Sequence, residues 1–183
     1  MGLIDKILGG SGSPEKPEQK IRKSLNQVAK EIESLIQKVE QGDERLESLE
    51  ENIKAEGSAA DVNRAEQKFK DNMIYFQSGV QKIEEHVQRA DVALNNVDLG
   101  PEFEKKARHN VQLAKKIVSY MEKELNEIDS SLESAEHSEG IEELNELERI
   151  EEKDEQVLER MEKMFRGSGP FEDNPDYGWI SLS

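Results

Sequence analysis

The stretch IRKSLNQVAKEIESLIQKVEQGDERLESLEENI, residues 21–53, decides the fold. Ile21, Leu25, Val28, Ile32, Leu35, Val39, Gly42, Leu46, Leu49 and Ile53 follow one another in alternating steps of four and three. That spacing gathers apolar side chains on one stripe of an α-helix and leaves the charged residues around the rest. A half-buried strand would alternate every second residue, which this stretch does not do. Gly42 alone in the stripe is not aliphatic. Because the phase continues through it, a kink or a close approach is expected there rather than a loop.

Reading outward, Gly57 suits a helix C-cap and Ser58 the N-cap of a second helix. The second stripe runs Val62, Ala65, Phe69, Met73, Phe76, Val80, Ile83, Val87, Ala90, Leu94 and Val97, with one stutter at Ala65–Phe69–Met73. So short a link between two long amphipathic helices implies an antiparallel hairpin. Leu99-Gly100-Pro101 breaks the chain, and Pro101 suits the first position of a third helix, with Glu102 and Glu104 in its first turn. Its stripe is Phe103, Ala107, Val111, Ala114, Val118, Met121, Leu125, Ile128, Leu132 and Ala135. A turn at Ser138-Glu139-Gly140 leads to a weaker fourth helix, Ile141–Arg166, carrying Leu144, Leu147, Ile150, Val157, Met161 and Met164, interrupted by Asp154. The expected fold is all-α: an elongated antiparallel hairpin or coiled-coil bundle of three long helices with a weaker fourth. The expected divisions are a peptide at 1–8, a linker at 9–18, a core at 19–138, the acidic fourth helix at 139–166, and a linker and docking peptide at 167–183.

Composition agrees. Hydrophobic residues make up 34% and charged residues 36%, too little apolar surface for an ordinary compact core but enough for narrow helical seams. The formal charge of −16 argues against nucleic acid as a partner, which would need a basic footprint. With no cysteine there is neither a disulfide framework nor a thiol nucleophile, which fits a cytoplasmic protein. No apolar run approaches the ~18 residues of a membrane span. The start is not that of a signal peptide, its apolar stretch being interrupted by Asp5 and Lys6.

No enzyme is expected, and no metal or cofactor. His86, His109 and His137 fall on different helices or helix ends, and none has a Glu three residues before it, as di-iron bundles require. They read as surface or bundle-edge residues. Zinc-protease, nucleophile-elbow and phosphate-loop motifs are missing from the sequence.

Three features lie beyond the seams. Leu3, Ile4, Ile7 and Leu8 share one helical face, with Asp5 and Lys6 turned away, which suits a peptide lying in a membrane interface or packing on the bundle. Lys105, Lys106, Arg108, Lys115 and Lys116 crowd the third helix, while residues 133–155 hold eleven acids against Arg149 and Lys153. A closed form in which the acidic fourth helix covers the basic third is one expectation, a solvated acidic face the other. Finally Phe171, Tyr177 and Trp179, the last being the sole Trp, give the end of the chain an aromatic content unusual for a linker. Tyr177–Leu182, with Trp179, Ile180 and Leu182, is expected to dock on a partner, as a strand added to a sheet edge, or to fold back on its own bundle.

Together the layout resembles the ESCRT-III proteins and, more distantly, the PspA/Vipp membrane-remodelling proteins. MGLIDKILGG is similar to their membrane-inserting start, with Leu3, Ile4, Ile7 and Leu8 as inserting residues. Asp154-x-x-Val157-x-x-Arg160-Met161-x-x-Met164-Phe165 is similar to the ESCRT-III motif that binds MIT domains of AAA ATPases, with Val157, Met161, Met164 and Phe165 departing from its usual Leu, Leu, Leu and Lys. The resemblance implies a peripheral assembly subunit on the inner face of a membrane. Its implied partners are further copies of itself, an anionic membrane, and an ATPase or adaptor engaging Val157, Arg160, Met161 and Met164 or the tail. Residues 1–100 carry 14 basic and 19 acidic side chains, which leaves the 1–8 peptide rather than the hairpin to meet lipid. The alternative is a soluble, spectrin-like coiled-coil adaptor presenting its aromatic tail.

Overall fold

The computed structural model describes residues 16–56, 59–138, 141–167 and 177–182, with side chains for 16–38, 62–138, 142–167 and 177–182. Four helices make up the described chain: α1 Pro17–Glu56, α2 Ala59–Asn96, α3 Pro101–Glu136 and α4 Ile141–Arg166. No strand occurs among the described residues. The 40 residues of α1 set a long axis of about 60 Å at ~1.5 Å per residue. Helix α1 starts at Pro17, within the segment expected to be linker, because proline's fixed φ and missing N–H suit a first helical turn. It continues without interruption through Gly42. The caps expected at Gly57 and Ser58 lie outside the described residues.

Each helix packs against its neighbours in sequence, and α4 returns to α1, closing an up-down-up-down four-helix bundle. Helix α4 is therefore a full member of the bundle. Where side chains are described, most members of the three stripes read from sequence are buried, among them Ile21, Leu25 and Ile32 on α1 and Ile83, Ala90 and Leu94 on α2, while Val62, Val97 and Phe103 are half-buried and the α1 stripe beyond residue 38 lies outside the described side chains. Helix α3 buries a second stripe as well, Asn110, Leu113, Ile117 and Glu124, beside the seam of Ala107, Val111, Ala114 and Met121. Two stripes let α3 pack on α2 and α4 at once. Where α1 and α2 approach, Gly79 faces Leu35, and a Cβ on that glycine would lie 2.6 Å from the Leu35 Cδ2.

The helices turn as the punctuation implied. Pro101 opens α3 behind Gly100, whose carbonyl accepts a hydrogen bond from the Glu104 N–H at 2.9 Å. His137 caps its other end, and the Ser138 N–H donates to the Ala135 carbonyl at 3.1 Å. Lys70 on α2 pairs with Glu136 in the last turn of α3, so the first residues of α2 and the matching end of α1 run past α3. The starts of α1 and α3 and the ends of α2 and α4 meet at the opposite pole.

Helix α4 lies on α3, as in the closed arrangement expected from the charges. One ionic contact between them has the reverse sense of that expectation: Lys153 of α4 sits 2.7 Å from both Glu124 and Glu127 of α3. Of the basic residues on α3, Lys115 pairs with Asp91 of α2 at 2.9 Å, and Arg108 reaches Glu104, Asn95 and the Leu94 carbonyl, while Lys105 and Lys106 are exposed. Burial of Leu147, Ile150, Val157 and Met161 provides the larger attraction, at roughly 1.5–3 kcal/mol for each large aliphatic side chain removed from water.

Candidate functional site

At the pole where α1 begins and α4 ends, Tyr177–Leu182 lies against the bundle, with a bend at Gly178. Its course follows from unsatisfied backbone groups. The last carbonyls of a helix lack intrahelical partners; here the Met164 carbonyl accepts from the Gly178 N–H at 2.9 Å and the Phe165 carbonyl from the Trp179 N–H at 2.7 Å. Gly167 (φ +89°) and Gly178 (φ +93°) make this possible. Each lies in the left-handed region open to glycine, and the two backbones touch, a Cβ built on Gly178 falling 3.5 Å from the Gly167 Cα.

Beyond Trp179 the segment is held by side chains of α3 and α1. Asn110 of α3, with no exposed surface, accepts from the Ile180 N–H through Oδ1 at 2.9 Å and donates from Nδ2 to the Ile180 carbonyl at 2.8 Å. One amide thus satisfies both backbone groups of one residue, as a neighbouring strand would. His109 donates from Nε2 to the Gly178 carbonyl at 2.8 Å, which assigns the Nε2–H form to that ring. Arg22 of α1 donates from Nε to the Leu182 carbonyl at 2.7 Å, its guanidinium held by Glu18 and lying over the Phe103 ring.

Aromatic contacts complete the seat. Trp179 packs on Phe165 with ring centroids 5.7 Å apart, and Leu182 is 5% exposed within the core cluster. Arg160 lies over the Tyr177 ring and donates to its Oη at 2.8 Å.

The residues singled out from sequence are distributed as follows. Tyr177, Trp179, Ile180 and Leu182 are together and folded back on their own bundle, where Asn110 and the end of α4 supply backbone partners of the kind a sheet edge offers. Val157, Met161 and Met164, and Phe165 beside them, are buried in the core, so a partner reading that face would need α4 to leave the bundle. Arg160 stays exposed and joins Tyr177. Leu3, Ile4, Ile7, Leu8 and Phe171 lie outside the described residues. The sequence reading gave no site role to Arg22 or Asn110 and took His109 for a surface or bundle-edge residue. Asn110 could have been found as a polar member of the stripe Asn110-Leu113-Ile117-Glu124; nothing in the sequence marks Arg22 or His109.

Elsewhere, a gap of about 20 Å³ lies between α2, α3 and α4, lined by Phe76, Met121, Leu125 and Val157 with the carboxylates of Glu124 and Asp154. That is about the room one water needs. No three His, Cys, Asp or Glu side chains are grouped to hold a metal ion among the described residues. The hydrogen bond from Lys153 holds the Glu127 carboxyl below the usual carboxylate range, and Glu124 and Glu127 together hold the Lys153 ammonium above its own. Glu84 on α2 is pushed up, first by sharing a hydrogen bond with Glu122 of α3 and then by burial.

Fold and site together define a four-helix bundle with a clasped C-terminal segment. Comparison of the chain with protein-family models, curated proteins and solved structures gives no match.

Proposed function

We propose that the protein is a peripheral membrane-associated assembly subunit: the bundle is its rigid unit, the amphipathic peptide at residues 1–8 its lipid contact, and further copies of itself its principal partner. Leu3, Ile4, Ile7 and Leu8 carry this reading, four aliphatic side chains on one helical face. What supports a surface role is that the described helices already bury their own stripes against one another, so the bundle does not require this peptide to complete its core. No described helix is long and apolar enough to cross a membrane.

Magnitudes favour assembly as the working state. Burying four aliphatic side chains yields roughly 6–12 kcal/mol gross at ~1.5–3 each. Ordering about eight residues opposes this by a similar amount, at ~1–2 kcal/mol each. A single copy therefore holds lipid weakly, and many linked copies hold it firmly. Engagement of an ATPase or adaptor through Val157, Arg160, Met161 and Met164 belongs to the same proposal and requires α4 to detach first. The soluble-adaptor reading has less support, since the tail it would present is seated on the bundle.

Co-sedimentation with vesicles containing anionic lipid tests the reading. The full chain is expected in the pellet, and a chain carrying Leu3→Ser, Ile4→Ser, Ile7→Ser and Leu8→Ser in the supernatant. If the unmodified chain stays in the supernatant at every anionic-lipid fraction, the membrane role is wrong.

A further inference from the structure

The seat of Tyr177–Leu182 has the properties of a peptide-recognition groove. It satisfies backbone groups at three successive residues, Gly178, Trp179 and Ile180, and selects side chains at Trp179 and Leu182. Asn110 is the decisive element. An asparagine with no exposed surface is costly unless its amide is fully used, and the hydrogen bonds that satisfy it here both go to Ile180. Helix α3 thus carries a buried polar group fitted to a backbone it does not itself contain.

The connection to α4 decides who can supply that backbone. Residues 168–176 separate the end of α4 from Tyr177. Nine residues span at most about 30 Å when extended, enough to reach the corresponding pole of an adjacent copy. Every groove residue is identical in that copy, so the contacts made by an exchanged segment equal those made at home. What differs is concentration. A segment on so short a tether competes at an effective concentration in about the millimolar range, and exchange becomes substantial only where copies are crowded to a comparable density.

We infer that the groove formed by Arg22, His109, Asn110 and Phe165 is a docking site for Tyr177–Leu182 of a second copy, its own segment occupying it when copies are dilute. The segment is then a concentration-gated link between bundles. This rests on the self-assembly part of the proposed function and is independent of lipid, so its test is made in lipid-free solution.

Two full-length variants isolate the two halves of the link. One loses the segment (Trp179→Ala with Leu182→Asp), the other the groove (Arg22→Ala with Asn110→Ala). Each closes on itself more weakly than the unmodified chain, and each keeps what the other lacks. Mixed at about 0.1–1 mM, the effective-concentration range, they are expected to sediment as a 1:1 pair of doubled mass, while each alone stays monomeric. Seating is read directly, because the groove variant supplies the sole Trp in the mixture, and its emission is expected to shift to the blue when Trp179 meets Phe165 of the other chain. Should circular dichroism show the groove variant unfolded, Arg22→Ala with His109→Ala replaces it. A mixture that remains monomeric with unshifted emission, or either variant pairing with itself as strongly as with the other, overturns the inference.

Discussion

Asn110 occupies a position on α3 whose neighbours in the same stripe, Leu113 and Ile117, are fully buried hydrocarbon. Its amide replaces a strand edge for Ile180, and the consequence is measurable at this one residue. Asn110→Ala removes two hydrogen bonds and is expected to lower unfolding stability by about 1–3 kcal/mol, at ~0.5–1.5 each. Hydrogen exchange at the Ile180 amide should speed up in the same variant; an amide as protected as in the unmodified chain would contradict the assignment. Asparagine in a helix is ordinarily read as a surface residue, and a periodicity count that follows one seam through Ala107, Val111 and Ala114 steps over it. The clasp was therefore half legible in the sequence. The aromatic content of Tyr177–Leu182 marked a docking peptide, but the groove depends on three residues, Arg22, His109 and Asn110, that only the folded chain brings together.

At the scale of the elements, helix boundaries were the easiest feature to read, because Pro101, Gly100 and the run Ser138-Glu139-Gly140 punctuate stripes that keep their phase. The partner of α4 was harder. Net charge suggested an acidic helix drawn to basic residues; in the fold Leu147, Ile150 and Met161 are buried as α4 lies on α3, and Lys153 of α4 bridges two acids of α3. Lys153→Met should be destabilising at neutral pH by about 1–3 kcal/mol, the cost of leaving a buried acceptor such as Glu124 without its partner. The dependence on pH has a definite sign. Glu127 is held below its unfolded value by Lys153, so its share of stability is present above the unfolded carboxylate range near ~4.3 and is lost as pH falls through the depressed value. Urea titrations of the two chains should accordingly differ at pH 7 and converge towards pH 3; a difference that persists in acid would assign the effect to packing of the lysine stem.

For the whole molecule, a net charge of −16 on a narrow bundle opposes compaction. Added salt screens that repulsion. The melting temperature is therefore expected to rise with ionic strength, while the radius of gyration from small-angle scattering stays constant, since the contacts that seat α4 are mainly apolar. An expansion in high salt would restore electrostatic closure as the organising force.

Arg22, in the second turn of α1, holds the Leu182 carbonyl, so α1 begins at the same pole at which the groove opens. That gives the rod a marked end. With its first residues planted in a lipid surface, the protein would stand with every groove and every segment in one thin layer beside the headgroups. Encounter between copies then becomes a two-dimensional search within a layer a few nanometres deep, and a modest coverage of the surface reaches densities that dissolved protein attains only near saturation.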